Sequence, residues 1–310
     1  MSADFSQTEL AFAPETLQTL NIALALVMFG VSMSLKVRDF KTILSSPRAI
    51  SAGLVSQWLL LPALTVLLIW IIRPQPSIAL GMVLVASCPG GSVSNFLTFL
   101  ARGNTALSIS LTAISSAGAI LITPLCFSFW GGLSPGTEEL LTRIAVNPWN
   151  IAKTILIVLL IPLVLGILIS EKLPWLASRL DKPARIFSFL FLLAFIVFTS
   201  VRYWPAFEDY LFQAGWMVIL HNLLALGVGW GLGAALGLEL PERRTLSVET
   251  GIQNTGLGLL LIFSYFNGMG GMALVAAWYG VWHIASGLIF ASLAGTVRGE
   301  TENVVVDSLR

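Results

Sequence analysis

The chain has 310 residues, 56% hydrophobic and 11% charged, with a formal net charge of +1. With a mean hydropathy of +0.87, it cannot clothe a soluble globule in polar surface, so its expected solvent is the lipid bilayer. The near-zero charge excludes nucleic acid as a partner, because no excess of cation is available to displace counterions from phosphates. The two cysteines, Cys88 and Cys126, lie in apolar context and fit neither a disulfide framework nor a zinc site, so they read as packing residues.

Residues 1–20 contain acids but no lysine or arginine and no small-residue cleavage site, so no signal peptide is expected. Apolar windows then recur at 17–35, 48–72, 77–101, 104–130, 147–169, 184–203, 211–237, 244–267 and 270–297. Each suits a span of about 20 residues. The chain therefore reads as an all-α polytopic membrane protein with about nine transmembrane helices and no soluble domain.

The positive-inside rule supports an odd count. With the N-terminus outside, the inner loops hold Lys36, Arg38, Lys41, Arg48, Arg102, Lys172, Arg179, Lys182, Arg185, Arg243, Arg244, Arg298 and Arg310, most of the 17 basic residues. Arg73, Arg143 and Arg202 fall outside, with Lys153 at the start of the fifth span. The C-terminus is then cytoplasmic, and the expected location is a cell (inner) membrane. Trp70, Trp130, Trp149, Trp175 and Trp204 sit near span ends as interfacial anchors. The polar tail Arg298 to Arg310 reads as a mobile appendage.

The third and eighth windows are interrupted by helix-breaking, polar sequence, Ser87-Cys88-Pro89-Gly90-Gly91-Ser92-Val93-Ser94-Asn95 and Glu249-Thr250-Gly251-Ile252-Gln253-Asn254-Thr255-Gly256. Unwound chain at membrane depth survives only where it is buried in protein or lines a cavity. Paired interruptions in two halves mark a secondary transporter. Spans one to four and six to nine share a pattern, and their odd offset of five makes the halves an inverted repeat. The expected units are 1–130, the first repeat half; 131–183, span five with its loops; 184–297, the second half; and 298–310, the tail. Glycines alone could equally mark close helix packing. That alternative leaves Asn95, Glu249, Gln253 and Asn254 unexplained.

Glu249 is the one carboxylate well inside an apolar segment, the other acids of the 16 lying in loops, tails or span ends. An ionised acid there costs roughly 2.5 to 3.5 kcal/mol and calls for a bound cation, a proton or a basic partner. The electron-pair donors at hand are oxygens: Gln57, Ser94, Asn95, Ser108, Thr112, Gln253 and carbonyls freed by unwinding. Such ligands suit a hard cation such as sodium, whereas zinc or copper would call for histidines and thiolates that two histidines cannot supply. Ser108 and Thr112, spaced i, i+4, share one helix face, although hydroxyls in helices often bond to their own backbone.

At these residues the chain resembles the bile acid:sodium symporter family. The match rests on Cys88-Pro89-Gly90-Gly91-Ser92-Val93-Ser94-Asn95, Leu100-Ala101-Arg102-Gly103-Asn104-Thr105-Ala106-Leu107-Ser108, Glu249-Thr250-Gly251-Ile252-Gln253-Asn254 and Val281-Trp282-His283. The resemblance implies a core domain with two crossed broken helices, a smaller panel domain and two sodium sites at the crossing. One sodium would be held by Ser94, Asn95, Ser108, Thr112 and Glu249. The other would be held by Gln57, Gln253 and the main chain or carboxylate of Glu249, Thr250 and Ile252. Ser92, Asn254 and His283 would contact substrate. His283-Ile284 stands where relatives often have His-Asn, which removes an amide from the expected pocket.

The expected function is sodium-coupled symport of an organic anion, a bile-acid-like steroid or a small carboxylate, by alternating access. Sodium is here a co-transported ion, and neither a resident cofactor nor an obligate protein partner is expected. The rival within transport is a proton-coupled or facilitative carrier of the same fold. An intramembrane hydrolase using Ser92 or Ser94 with His221 or His283 lacks a recognisable nucleophile motif. A non-transporting receptor would be separated from both by solute flux.

Overall fold

The structure is a computed structural model that describes residues 46–144, 148–202 and 204–308, with a few positions between 22 and 33. The first expected span, 17–35, and Lys36, Arg38, Lys41 and Arg310 lie largely or wholly outside the described residues. Among the described residues every regular element is a helix. These are α1 Pro47–Ile72, α2 Pro76–Ser87, α3 Val93–Leu100, α4 Thr105–Gly132, α5 Glu138–Ile144, α6 Trp149–Lys172, α7 Pro174–Arg202, α8 Trp204–Ala235, α9 Leu240–Gly251, α10 Thr255–Tyr265 and α11 Gly270–Ser308.

Among the described residues five stretches are long and apolar enough to cross a membrane: α1, α4, α6, Ala214–Ala235 of α8 and Gly270–Ala294 of α11. The distribution of side chains is that of a lipid-solvated bundle. Ile71, Leu121, Phe99 and Leu293 are more than 60% exposed, while Ser56, Thr65, Ser94, Ser108 and Thr250 are fully buried. In water that arrangement would leave apolar surface exposed and hydroxyls desolvated; in lipid it places each group where it belongs. The protein is therefore a multi-pass membrane protein.

Three boundaries differ from expectation. The sixth window was placed at 184–203, but α7 begins at Pro174, a residue suited to a first turn because its missing N–H is an orphan there anyway. The short helix α5 follows the fourth window, opening on Glu138 and Glu139, whose charges favour a helix N-terminus. Helix α11, expected to end near 297, continues through Arg298 to Ser308.

Both expected breaks are present. The third window divides into α2 and α3, the eighth into α9 and α10. Helix α2 is buried from Ser77 to Ser87, and its neighbour α11 approaches so closely that a Cβ on Gly81 would stand 2.9 Å from Met272 Cα. Small residues permit such backbone contact between membrane helices. Helices α8 and α9 are tighter still, since a Cβ on Gly229 would meet Leu246 O at 2.1 Å.

Two helices contain a single π turn, Ser56–Leu60 in α1 and Leu156–Leu160 in α6, each followed by a proline, Pro62 or Pro162. Proline has no N–H for the carbonyl four residues back. In α1 that carbonyl belongs to Trp58, and Cys126 Sγ donates to it instead at 3.4 Å.

Candidate ion and solute site

The two breaks are tied to each other. Gly90 and Gln253 form an isolated antiparallel bridge, in which Gly91 N donates to Ile252 O at 2.8 Å and Asn254 N to Pro89 O at 2.9 Å. Gly90 N donates to Ser115 Oγ of α4 at 3.3 Å. Backbone groups released by unwinding thus find partners in one another, as a low-dielectric setting demands. The close fit needs glycine at 91, because a Cβ there would stand 2.9 Å from Gln253 O.

Above this pairing lies an oxygen cluster. Glu249 is 0% exposed, and Ser94 Oγ donates to its Oε1 at 2.5 Å. Ser108 Oγ also donates to Oε1, and Thr112 Oγ1 lies 3.1 Å from both carboxylate oxygens. Asn95 Oδ1 accepts from Ser108 Oγ at 2.9 Å and lies 3.3 Å from Thr112 Oγ1, which is itself 3.2 Å from Ser94 Oγ. All five residues expected at the first site are therefore together. Each hydroxyl has one proton to give, so the hydroxyls of Ser94, Ser108 and Thr112 cannot supply every one of these approaches. Among the described residues no basic side chain hydrogen-bonds Glu249.

The residues expected at the second site surround the adjoining turn. Gln57 Nε2 donates to Glu249 O at 3.1 Å and Gln253 Nε2 to Thr250 O at 2.7 Å. The amide oxygens of both glutamines, Gln57 Oε1 and Gln253 Oε1, are buried without a hydrogen-bond partner. Two such acceptors tied to consecutive peptides fit a cation, which needs lone pairs and brings no acceptor of its own. The Ile252 carbonyl serves the pairing of the breaks, and the Thr250 hydroxyl contacts Ser56 Oγ at 2.6 Å.

Ser92, Asn254 and His283 all line one cavity of ≈ 80 Å³, together with Gly91, Val158, Leu159, Leu257 and Ile284. Asn254 has a structural role as well: its Oδ1 accepts from Leu257 N at 3.1 Å and caps α10, as Asn104 caps α4. The first turns of α3 and α10 both open on this cavity through Val93 and through Thr255, Gly256 and Leu257. Converging helix N-termini favour an anion.

Sequence reasoning did not single out Ser56, Ser115, Asn222, Tyr279 or Ser286. A signal existed for Ser115, which extends the Ser108, Thr112 spacing by one more turn, and for Asn222, an amide inside an apolar window. His221 contacts Thr65 Oγ1 at 2.8 Å through Nε2.

A multi-pass bundle with two broken helices meeting at an oxygen-lined, buried carboxylate defines a membrane transport protein. The family model for the sodium bile acid symporter family matches residues 21–203. The chain is 30% identical over 277 residues to an uncharacterized sodium-dependent transporter, YocS, of Bacillus subtilis, covering 88% of this chain and 82% of that one. It is 28% identical over 285 residues to a probable chloroplastic sodium/metabolite cotransporter of Arabidopsis thaliana, covering 89% of this chain and 66% of that protein. Against the human ileal sodium/bile acid cotransporter it is 28% identical over 247 residues, 77% of this chain and 67% of the other. The chain belongs to the sodium bile acid symporter family.

Proposed function

We propose that the protein is a sodium-coupled symporter of an organic anion. The observation that carries this reading is the oxygen cluster around Glu249, which has more close oxygen–oxygen approaches than hydroxyl protons to fill them and no basic partner among the described residues. A hard cation shared among Glu249, Ser94, Asn95, Ser108 and Thr112 satisfies those lone pairs and balances the carboxylate. A second cation is held by Gln57, Gln253 and the turn Glu249 to Ile252. The anion occupies the adjoining cavity beside Ser92, Asn254 and His283, facing the two helix N-termini.

The proposal includes nine spans, an extracellular N-terminus, a cytoplasmic C-terminus and an inverted repeat of core and panel. The cavity lies between the breaks and the π turn of α6, whose Val158 and Leu159 form its apolar wall. Movement of α6 with the first and sixth spans against the remainder would alternate access. Inward movement of one sodium down 100 mV releases about 2.3 kcal/mol.

Purified protein titrated with sodium, potassium and choline chlorides at constant ionic strength tests the reading. Sodium alone should raise the melting temperature, because a ligand at 100 times its Kd stabilises the folded state by about 2.7 kcal/mol. Equal responses to all three salts would remove the sodium sites. Uptake by proteoliposomes of a panel of carboxylates under a sodium gradient, or under a proton gradient alone, then separates sodium from proton coupling.

The two ion sites should be separable. Ser108→Ala with Thr112→Ala is expected to weaken one sodium-binding event and Gln57→Ala the other. Both should raise the sodium concentration for half-saturation, and the combined variant should be non-additive because Glu249 touches both groups. Wild-type binding curves for every variant would defeat the two-site arrangement.

A further inference from the structure

A second buried polar network lies beyond the ligand sets, on the far side of the α9–α10 break. Helix α9 ends at Gly251, whose carbonyl is released from the helical ladder by the break. Two side chains take it up: Asn222 Nδ2 of α8 donates at 2.8 Å and Tyr279 OH of α11 at 3.1 Å. The pair is itself braced. Asn222 Nδ2 lies 3.2 Å from Tyr279 OH, and Ser286 Oγ donates to Asn222 Oδ1 at 2.5 Å. Asn222 and Tyr279 are both 0% exposed. The Tyr279 ring meets the His221 ring edge-on at 5.4 Å and the His283 ring at 5.7 Å. His221 is in turn held by Thr65 of α1.

Gly251 is the one peptide of the Glu249 to Gln253 turn whose carbonyl points to this network. The carbonyl of its neighbour Thr250 accepts from the Gln253 amide, and that of Glu249, one residue further back, from the Gln57 amide. Fixing the last peptide of the helix limits the planes beside it, since only two soft torsions separate successive peptides. A Cβ there would stand 2.4 Å from Leu226 Cδ2, so any larger residue must displace that side chain. No such bracket would be needed merely to end a helix, because a carbonyl has other routes to satisfaction at a C-terminus.

We propose that Asn222 and Tyr279 are positioning residues for the second ion site: by holding the Gly251 carbonyl from α8 and α11, they set the turn that offers the Glu249 and Thr250 carbonyls and the Gln253 amide oxygen to a cation facing Gln57 of α1. Ser286 orients Asn222 for that task. Tyr279, in contact with both this peptide and the His283 ring of the cavity wall, joins the ion site to the solute cavity. The inference rests on the sodium reading above.

The test uses sodium itself as the probe on the full-length protein. Tyr279→Phe and Asn222→Leu should raise the sodium concentration for half-saturation roughly tenfold, the scale on which outer partners act on metal affinity. Ser286→Ala should act in the same direction with a smaller shift. Melting temperature in choline chloride supplies the structural control. A merely structural role lowers it while leaving the sodium titration unmoved, and that result would overturn the inference. Double-variant cycles sharpen the assignment: Tyr279→Phe should couple more strongly with Gln57→Ala than with Ser108→Ala, which it reaches only through Glu249. Coupling to Ser108 with none to Gln57 would also overturn it. If Tyr279→Phe does not yield folded protein, Ser286→Ala carries the same comparison, and an unchanged sodium titration there counts against the proposal. Loss of any sodium response in the wild type would instead remove the sodium reading, so the two failures are distinct.

Discussion

Glu249→Gln should abolish measurable sodium binding at the first site while leaving a folded bundle. The amide keeps the shape of the carboxyl group but removes the charge that offsets a cation. It also introduces an NH₂ into a cluster where Ser94, Ser108 and Thr112 all direct hydroxyls at Glu249 Oε1. Removing one partner of a buried charge pair typically costs about 3–5 kcal/mol, roughly two to three and a half orders of magnitude in affinity. Radiolabelled sodium binding and the sodium-dependent rise in melting temperature measure this directly. A variant with unchanged sodium dependence would show that the carboxylate serves the fold and not an ion.

The second large effect is expected from a single methyl group. Gly90→Ala would place a Cβ 2.9 Å from Glu249 Oε2 and 3.4 Å from Gln57 Nε2, so one substitution touches both proposed sites. The backbone at this position needs no glycine for its torsions, since Gly90 is not among the positive-φ residues. The cost is therefore one of space, on the order of 1–3 kcal/mol for overpacking, and it falls on the carboxylate. Both sodium-binding events should weaken together. Gly258→Ala in α10 is the matched control, because its Cβ would meet only Cys88 Sγ at 3.7 Å and Ala276 Cβ at 4.0 Å. That variant should bind sodium as the wild type does and gain slightly in stability from helix propensity. Equal effects from the two alanines would rule out a specific role for the space beside Gly90.

Much of the site was legible because membrane depth makes polar residues conspicuous. Glu249, Asn95 and the glycine-rich interruptions stand out against apolar flanks, and the breaks lie where those flanks give way. The hydroxyls were harder to read. Ser108 reaches Glu249 while Ser110, two residues on, bonds back to Ala106 O at 2.9 Å, and Thr65 and Ser87 do the same to Leu61 and Val83. From sequence each of these is a small polar residue in an apolar helix, and only the neighbouring elements decide whether it turns inward or back on its own turn. The same ambiguity hid Ser56 and Ser286. Asn254 was visible, but its capping of α10 depends on where the helix restarts. Tyr279 was hidden for another reason: a tyrosine in a long apolar window reads as packing until the carbonyl it serves is located.

The π turn in α1 has an evolutionary consequence. It carries Gln57, and it amounts to one residue more than the α-helical ladder would hold. Deleting a single residue between Ser56 and Leu60 would let the ladder close as plain α-helix, with span length and the register of the two flanking halves little changed, yet it would re-aim the side chains of the turn itself. Gln57 would then leave the turn beside Glu249 while the flanking residues kept their faces. Insertions and deletions of one residue at this turn, and at its counterpart Leu156–Leu160 beside the cavity wall, are thus a route by which ion or solute preference can change in a single genetic step. Span length and hydropathy would carry no trace of it.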